Sequence, residues 1–285
     1  MYEVIDLGAN NLSTSIFPHG MNNLGQVAAY TFDASSSFAI VYNDGVMADL
    51  GHLGFQYSMA QDINDSGQVV GRSATVQQDS GYGSRSYDNK VHGFIYNDGT
   101  MHDIGTLGGN YSNAFAINKL GQVVGESHTS PDYNSLHAIL YDNGTLQDIG
   151  TLGGYGWSTA SGINDCGQIV GQSNGRAFLY DNGIMKDLGT LGGSESSAIA
   201  INNLGQIVGY SRNIDGDNEA FLYVNGTMNN LEDLISDSSI DLSIASDINE
   251  LGQIIVQSSS RGFLFNPTQP IEAPCFCSTL ISLGL

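Results

Sequence analysis

One short pattern, Ile-Asn-x-x-Gly-Gln, constrains this chain more than any other feature. It occurs six times, as MNNLGQ from Met21, INDSGQ from Ile63, INKLGQ from Ile117, INDCGQ from Ile163, INNLGQ from Ile201 and INELGQ from Ile248. The six asparagines are Asn22, Asn64, Asn118, Asn164, Asn202 and Asn249, so the spacings are 42, 54, 46, 38 and 47 residues. That period suits the blades of a propeller and is far too long for one coil of a β-helix.

Each copy reads as four short strands. The first ends at Ile-Asn, as in SNAFAIN, and Asn-x-x-Gly turns the chain, with glycine free to take positive φ. The second strand is QVVG-like. The third, HAILY, RAFLY or EAFLY, is apolar on both sides, as expected of a strand sandwiched between sheets. A two-residue turn follows: Asp44-Gly45, Asp98-Gly99, Asn143-Gly144, Asn182-Gly183 and Asn225-Gly226. Asn-Gly and Asp-Gly are the strongest short hairpin signals. The fourth strand resembles MKDLG. Tight hairpins force antiparallel neighbours, so each repeat is predicted to be a four-stranded meander.

The sixth copy stops early. After Arg261-Gly262-Phe263-Leu264-Phe265 comes Asn266-Pro267, where proline ends the strand pattern. Val4-Ile5-Asp6-Leu7-Gly8 matches the missing fourth strand, and Asp6 precedes Asn22 by 16 residues, as Asp148 precedes Asn164. The expected fold is all-β: a six-bladed β-propeller spanning residues 1–267, in which segment 2–8 completes the last blade and protects the sheet edges. Residues 268–285 form a tail outside the repeats. An open β-solenoid is the alternative.

These repeats resemble the HAF-repeat family, often described as extracellular repeat proteins of bacteria. DLGTLGG, SxAxAIN, GQVVG and NG carry the likeness across roughly residues 2–267. The name-giving triplet appears as His92-Gly93-Phe94, His137-Ala138-Ile139, Arg176-Ala177-Phe178 and Glu219-Ala220-Phe221. The resemblance implies a propeller architecture and no general catalytic motif. A more distant similarity is to the propeller portions of certain cyanobacterial alkylating enzymes of natural-product assembly.

Composition excludes some partners. The 285 residues hold 29 Asp plus Glu against 8 Lys plus Arg, a net charge of −21. Such a chain repels nucleic acid and anionic membrane surfaces. No apolar run is long enough to span a bilayer. The N-terminal residues lack the basic start and apolar stretch of a secretory signal. The expectation is therefore a cytoplasmic protein, or an extracellular or periplasmic one whose signal has been cleaved. Three cysteines, Cys166, Cys275 and Cys277, are too few for a disulfide scaffold. The tail pair has no nearby histidines for zinc, and the thiols read as incidental.

If the repeated positions are scaffold, function belongs where copies differ. The loops between strands two and three, and those joining one blade to the next, vary in length and share one end of each blade. Such loops on a rigid frame usually carry recognition. All five arginines (Arg72, Arg85, Arg176, Arg212 and Arg261) fall at or after the end of a second strand, which suggests a site for an oxyanion. The alternative is that each pairs with a neighbouring carboxylate. Aromatic residues, notably Tyr82, Tyr87, Tyr155 and the sole tryptophan, Trp157, favour the same end and suit a glycan, a small acid or a protein partner.

The leading expectation is a non-catalytic binding module using Arg85, Arg176, Arg212, Arg261, Tyr82, Tyr87, Tyr155 and Trp157. One rival is an enzyme at the mouth of the central channel acting on a small anionic or aromatic substrate, cyclase-, alkylase- or lyase-like. His19, unique among the innermost strands, would be its base; a structural histidine is the plainer reading. Another rival is a structural protomer of a larger assembly, and the sequence leaves the oligomeric state open. No cofactor is required by any motif. In Asn213–Glu219, NIDGDNE, the oxygen donors Asp215, Asp217 and Glu219 surround a glycine turn in the manner of a calcium loop, with an ordinary acidic turn as the alternative.

Overall fold

A computed structural model describes residues 15–32, 36–76, 90–131, 135–235, 240–258 and 261–268. The chain divides into two compact units, Met1–Asp148 and Ile149–Leu285. The first holds three sheets, each an antiparallel meander. Blade one is β1 (Ser15–Met21), β2 (Val27–Phe32), β3 (Ser37–Asn43) and β4 (Val46–Asp49). Blade two is β5 (Ser58–Ile63), β6 (Val69–Ala74), β7 (Val91–Asn97) and β8 (Thr100–Gly105). Blade three is β9 (Ser112–Ile117), β10 (Val123–His128), β11 (Leu136–Asp142) and β12 (Thr145–Gly150), the last straddling the boundary.

The second unit continues the series. Blade four is β13 (Ser158–Ile163), β14 (Ile169–Ser173), β15 (Arg176–Asp181) and β16 (Ile184–Asp187). Blade five is β17 (Ser196–Ile201), β18 (Ile207–Arg212), β19 (Asn218–Val224) and β20 (Thr227–Asn230). Blade six has three strands among the described residues, β21 (Ile244–Ile248), β22 (Ile254–Gln257) and β23 (Gly262–Phe265). The fold is an all-β, six-bladed β-propeller. Segment 2–8, assigned from sequence as the missing strand of blade six, lies outside the described residues, as does the tail beyond Thr268.

The hairpin turns follow from their residues. Asn143 and Gly144 both take positive φ, 49° and 80°, as a type I′ turn demands. Asp44-Gly45, Asp98-Gly99, Asn182-Gly183 and Asn225-Gly226 do the same, and so does Asn174-Gly175.

Four of the repeated asparagines, Asn22, Asn64, Asn164 and Asn202, do more than cap their turns. The Asn202 side-chain carbonyl accepts from the amides of Leu204 and Gln206, at 3.1 and 3.0 Å. Its Nδ2 donates to Gln206 Oε1 at 2.7 Å and to the backbone carbonyl of Asn249, in the next blade, at 3.0 Å. Asn22 reaches Asn64, Asn64 reaches Asn118, and Asn164 reaches Asn202 in the same way. One side chain thus shapes the turn and clasps the following blade.

The serines are used as systematically. Ser196 Oγ donates to the Gly189 carbonyl at 2.6 Å and accepts from the amide of Ala177 at 2.9 Å. Ser58 and Ser112 occupy equivalent positions with equivalent partners. These bonds tie the connection entering a blade to the third strand of the previous one. Among the described residues, four apolar clusters lie between successive sheets, two in each unit. One gathers Ala39, Leu50, Ala60, Val69 and Phe94, and another Ala177, Leu188, Ala198, Ile207 and Phe221. Their large side chains are fully buried, the main favourable term holding blade to blade.

Candidate functional site

Antiparallel meanders place the β14–β15 turn and the connection into β13 at the same end of blade four. There the segment Gly154-Tyr155-Gly156-Trp157 is fastened to one residue, Asn174. Asn174 Nδ2 donates to the carbonyls of Leu152 and Tyr155, both at 2.9 Å, and its Oδ1 accepts from the Trp157 amide at 3.0 Å. The Asn174 amide donates to the Trp157 carbonyl at 3.0 Å. Gly156 is obligatory in this arrangement: its φ is 97°, and a Cβ there would sit 2.0 Å from Asn174 Oδ1. The backbone is fixed while the rings remain in solvent, Tyr155 82% and Trp157 40% exposed.

The arginines behave otherwise. Arg176 Nε lies 3.3 Å from Asp187, and Arg212 Nη2 lies 3.2 Å from Glu195. Arg261 sits over the Phe263 ring at 5.3 Å. No contact among the described residues gathers these guanidinium groups around a common point. Arg176 also occupies a repeat position. His92 meets Asp103 at 2.7 Å and His137 meets Asp148 at 2.8 Å through the same two strands. In blade five the pair becomes Glu219, accepting from Asn230 at 2.9 Å. A residue at or next to the start of the third strand therefore bonds the fourth, and arginine is one way of doing so. Arg176 and Arg212 are each met by a neighbouring carboxylate, the alternative that the sequence offered. Tyr82, Arg85 and Tyr87 lie outside the described residues.

The acidic loop of blade five is likewise shaped by its own amide. Asn213 Oδ1 accepts from the backbone amides of Asp215 and Asp217, at 2.9 and 3.0 Å, an Asx turn. Glu219 spends its carboxylate on Asn213 Nδ2, at 2.7 Å, and Asn230 Nδ2. Asp215, Asp217 and Glu219 do not converge as calcium ligands: among the described residues no three His, Cys, Asp or Glu side chains form a group that could hold a metal ion. The loop borders an acidic cleft of about 620 Å³ with Arg212, Glu232 and Asp241.

Cys166, in the turn between β13 and β14, is disulfide-bonded. The chain's other cysteines, Cys275 and Cys277, lie outside the described residues.

His19 is exposed on β1 and stacks on Tyr30, ring centroids 5.4 Å apart. Burial of part of the ring, and then the charge of Arg72, hold its pKa below the ordinary imidazole value. Among the described residues, Arg72 is the guanidinium that bears on it. In a proton NMR titration the His19 resonances are expected to move at a pH below about 6.5. The midpoint should rise part of the way back in Arg72→Gln, and no change would detach His19 from that charge.

No protein-family model matches the chain, and a search of curated proteins finds no match. Among solved structures, TolB from Acinetobacter baumannii is 13% identical with a TM-score of 0.47, over 75% of this chain and 53% of that one. This chain therefore spans about half the length of that TolB. A gluconolactonase from Xanthomonas campestris is 10% identical with a TM-score of 0.46, over 88% and 86% of the two chains. A lectin from Aleuria aurantia, solved with Fucα1-6GlcNAc, is 14% identical with a TM-score of 0.42, over 92% and 98%.

Proposed function

We propose that the protein is a non-catalytic recognition module, of the HAF-repeat kind, that holds a neutral glycan against Tyr155 and Trp157. The observation that carries this reading is the glycine-rich segment whose backbone is locked by Asn174 while its two rings stay in water. Exposing large rings forgoes burial energy, and a fixed backbone removes the ordering cost of binding. Indole and phenol faces stack on the C–H faces of sugar rings. The neighbouring charges favour an uncharged ligand over the small acid, since Arg176 and Arg212 are already met by Asp187 and Glu195.

Trp157 is the sole tryptophan, so its fluorescence reports on this site directly. Titration with a panel of neutral oligosaccharides is expected to give a saturable change for at least one of them. By calorimetry, Trp157→Ala and Tyr155→Ala should each weaken that binding about tenfold or more, the range seen for aromatic hot spots, with the folded content unchanged. Affinities equal to wild type in both variants would remove the assignment.

A further inference from the structure

Copies differ inside the sheets as well as in the loops. The fourth position of the second strand is Tyr30, Arg72, Glu126 and Gln172 in blades one to four. Its cross-strand neighbour on the first strand is Phe17, Met59, Asn113 and Thr159. In the first unit these columns turn into a cluster. Arg72 Nη2 meets Met59 Sδ at 3.3 Å, and the phenols of Tyr57 and Tyr111 hydrogen-bond the same guanidinium. Tyr111 in turn donates to Glu126 Oε1 at 3.2 Å. One blade earlier, Phe17 stacks on Tyr30 at 5.1 Å and on Phe32 at 5.4 Å.

Two features of this cluster are unusual. The Arg72 Nε is buried and has no hydrogen-bond partner, and neither has Oδ1 of Asn113, a residue 2% exposed. No carboxylate forms an ion pair with Arg72 among the described residues, unlike Arg176 and Arg212. Burial works against the Arg72 charge, yet the phenols of Tyr57 and Tyr111 outweigh it and hold its pKa above the ordinary value. Burial, and then the Glu126 carboxylate, push Tyr111 up to about 12. Arg72 is therefore a permanent cation, largely withdrawn from water, whose neighbours are neutral at physiological pH. Such a charge, met so far by neutral groups alone, is open to pairing with an anion.

We propose that Arg72 anchors a small carboxylate ligand whose apolar body lies against Met59 and the rings of blade one. A guanidinium fork matches a carboxylate in two parallel hydrogen bonds. One cation, with Glu126 a single phenol away and a chain of charge −21 around it, suits a monoanion and disfavours a phosphate dianion. Met59, Phe17 and Tyr30 provide the soft surface for a ring or alkyl group. Nothing in the Arg72 cluster draws on the Tyr155–Trp157 segment.

Benzoate is the probe, with benzamide as its neutral counterpart, each titrated into the full chain by calorimetry and by ligand-observed NMR. Benzoate is expected to saturate one site, and benzamide to bind about tenfold more weakly or worse. Arg72→Gln should lose about tenfold or more of the benzoate affinity, the scale of a charge-assisted pair, with an unchanged melting temperature. Trp157→Ala should bind benzoate as wild type does. Should Arg72→Gln not fold, Arg72→Lys serves in its place, since it keeps the charge and loses the fork, and it too should weaken benzoate. No saturable benzoate binding to the folded protein, equal binding of benzamide, or wild-type affinity in the arginine variant overturns the proposal.

Discussion

Replacing Asn202 with alanine is expected to lower the unfolding free energy by about 4 kcal/mol, given about 1–3 kcal/mol for each buried group left unpaired. The residue is 2% exposed and makes four hydrogen bonds. Alanine strands the buried Gln206 amide and side chain and leaves the Asn249 carbonyl without its donor. Asn202→Asp separates the two roles of the side chain. It still accepts from Leu204 and Gln206, but it faces Gln206 Oε1 and the Asn249 carbonyl with a carboxylate and can donate to neither. A large loss is expected there too. Asn249 is the internal control: it is exposed, and among the described residues its side chain serves only its own turn. Asn249→Ala should cost about 1 kcal/mol, an ordinary exposed cap. Equal midpoints for the two alanine variants in urea would show that the reach to the next blade contributes nothing.

Gly209→Ala is expected to be as damaging for a steric reason. The first strand of blade five bulges between Ala198 and Ala200, which drives the Ser197 carbonyl toward the second strand. A Cβ on Gly209 would stand 2.0 Å from that oxygen and 3.0 Å from Phe221 Cε1. The oxygen belongs to the backbone and the ring to a fully buried side chain, so neither can yield cheaply. A loss of more than about 3 kcal/mol, at the upper end for overpacking, or failure to accumulate folded protein, is the expected outcome. Gly226→Ala, which meets nothing within 4 Å, should retain the fold and pay only for its positive φ, about 1 kcal/mol. Circular dichroism and urea midpoints for the pair decide the matter.

The fold was legible because its signals are local and repeated. Asn143-Gly144 states its backbone angles in two residues, and Asn-x-x-Gly states both ends of a hairpin. The carry from Asn202 to Asn249 was not legible, since a side chain's reach into another blade leaves no mark beside it. The arginines show the same limit. Arg176 could have been recognised as scaffold by setting His92, His137 and Glu219 in one column and Asp103, Asp148 and Asn230 in the next. Arg72 was visible as an odd member of the column Tyr30, Glu126, Gln172, but its partner Tyr111 comes from the following blade. Only the coordinates separate it from the loop arginines with which the sequence groups it.

The asparagine bond runs one way, donor in one blade and acceptor in its successor, with the same residue type in both places. A lineage that duplicates or deletes a repeat linked in this way therefore needs no compensating change at the seam, because each such unit offers what its predecessor gives and asks what its successor has. Such a chain can alter its number of modules in a single genetic step, and leave the residues between the invariant words free to diversify.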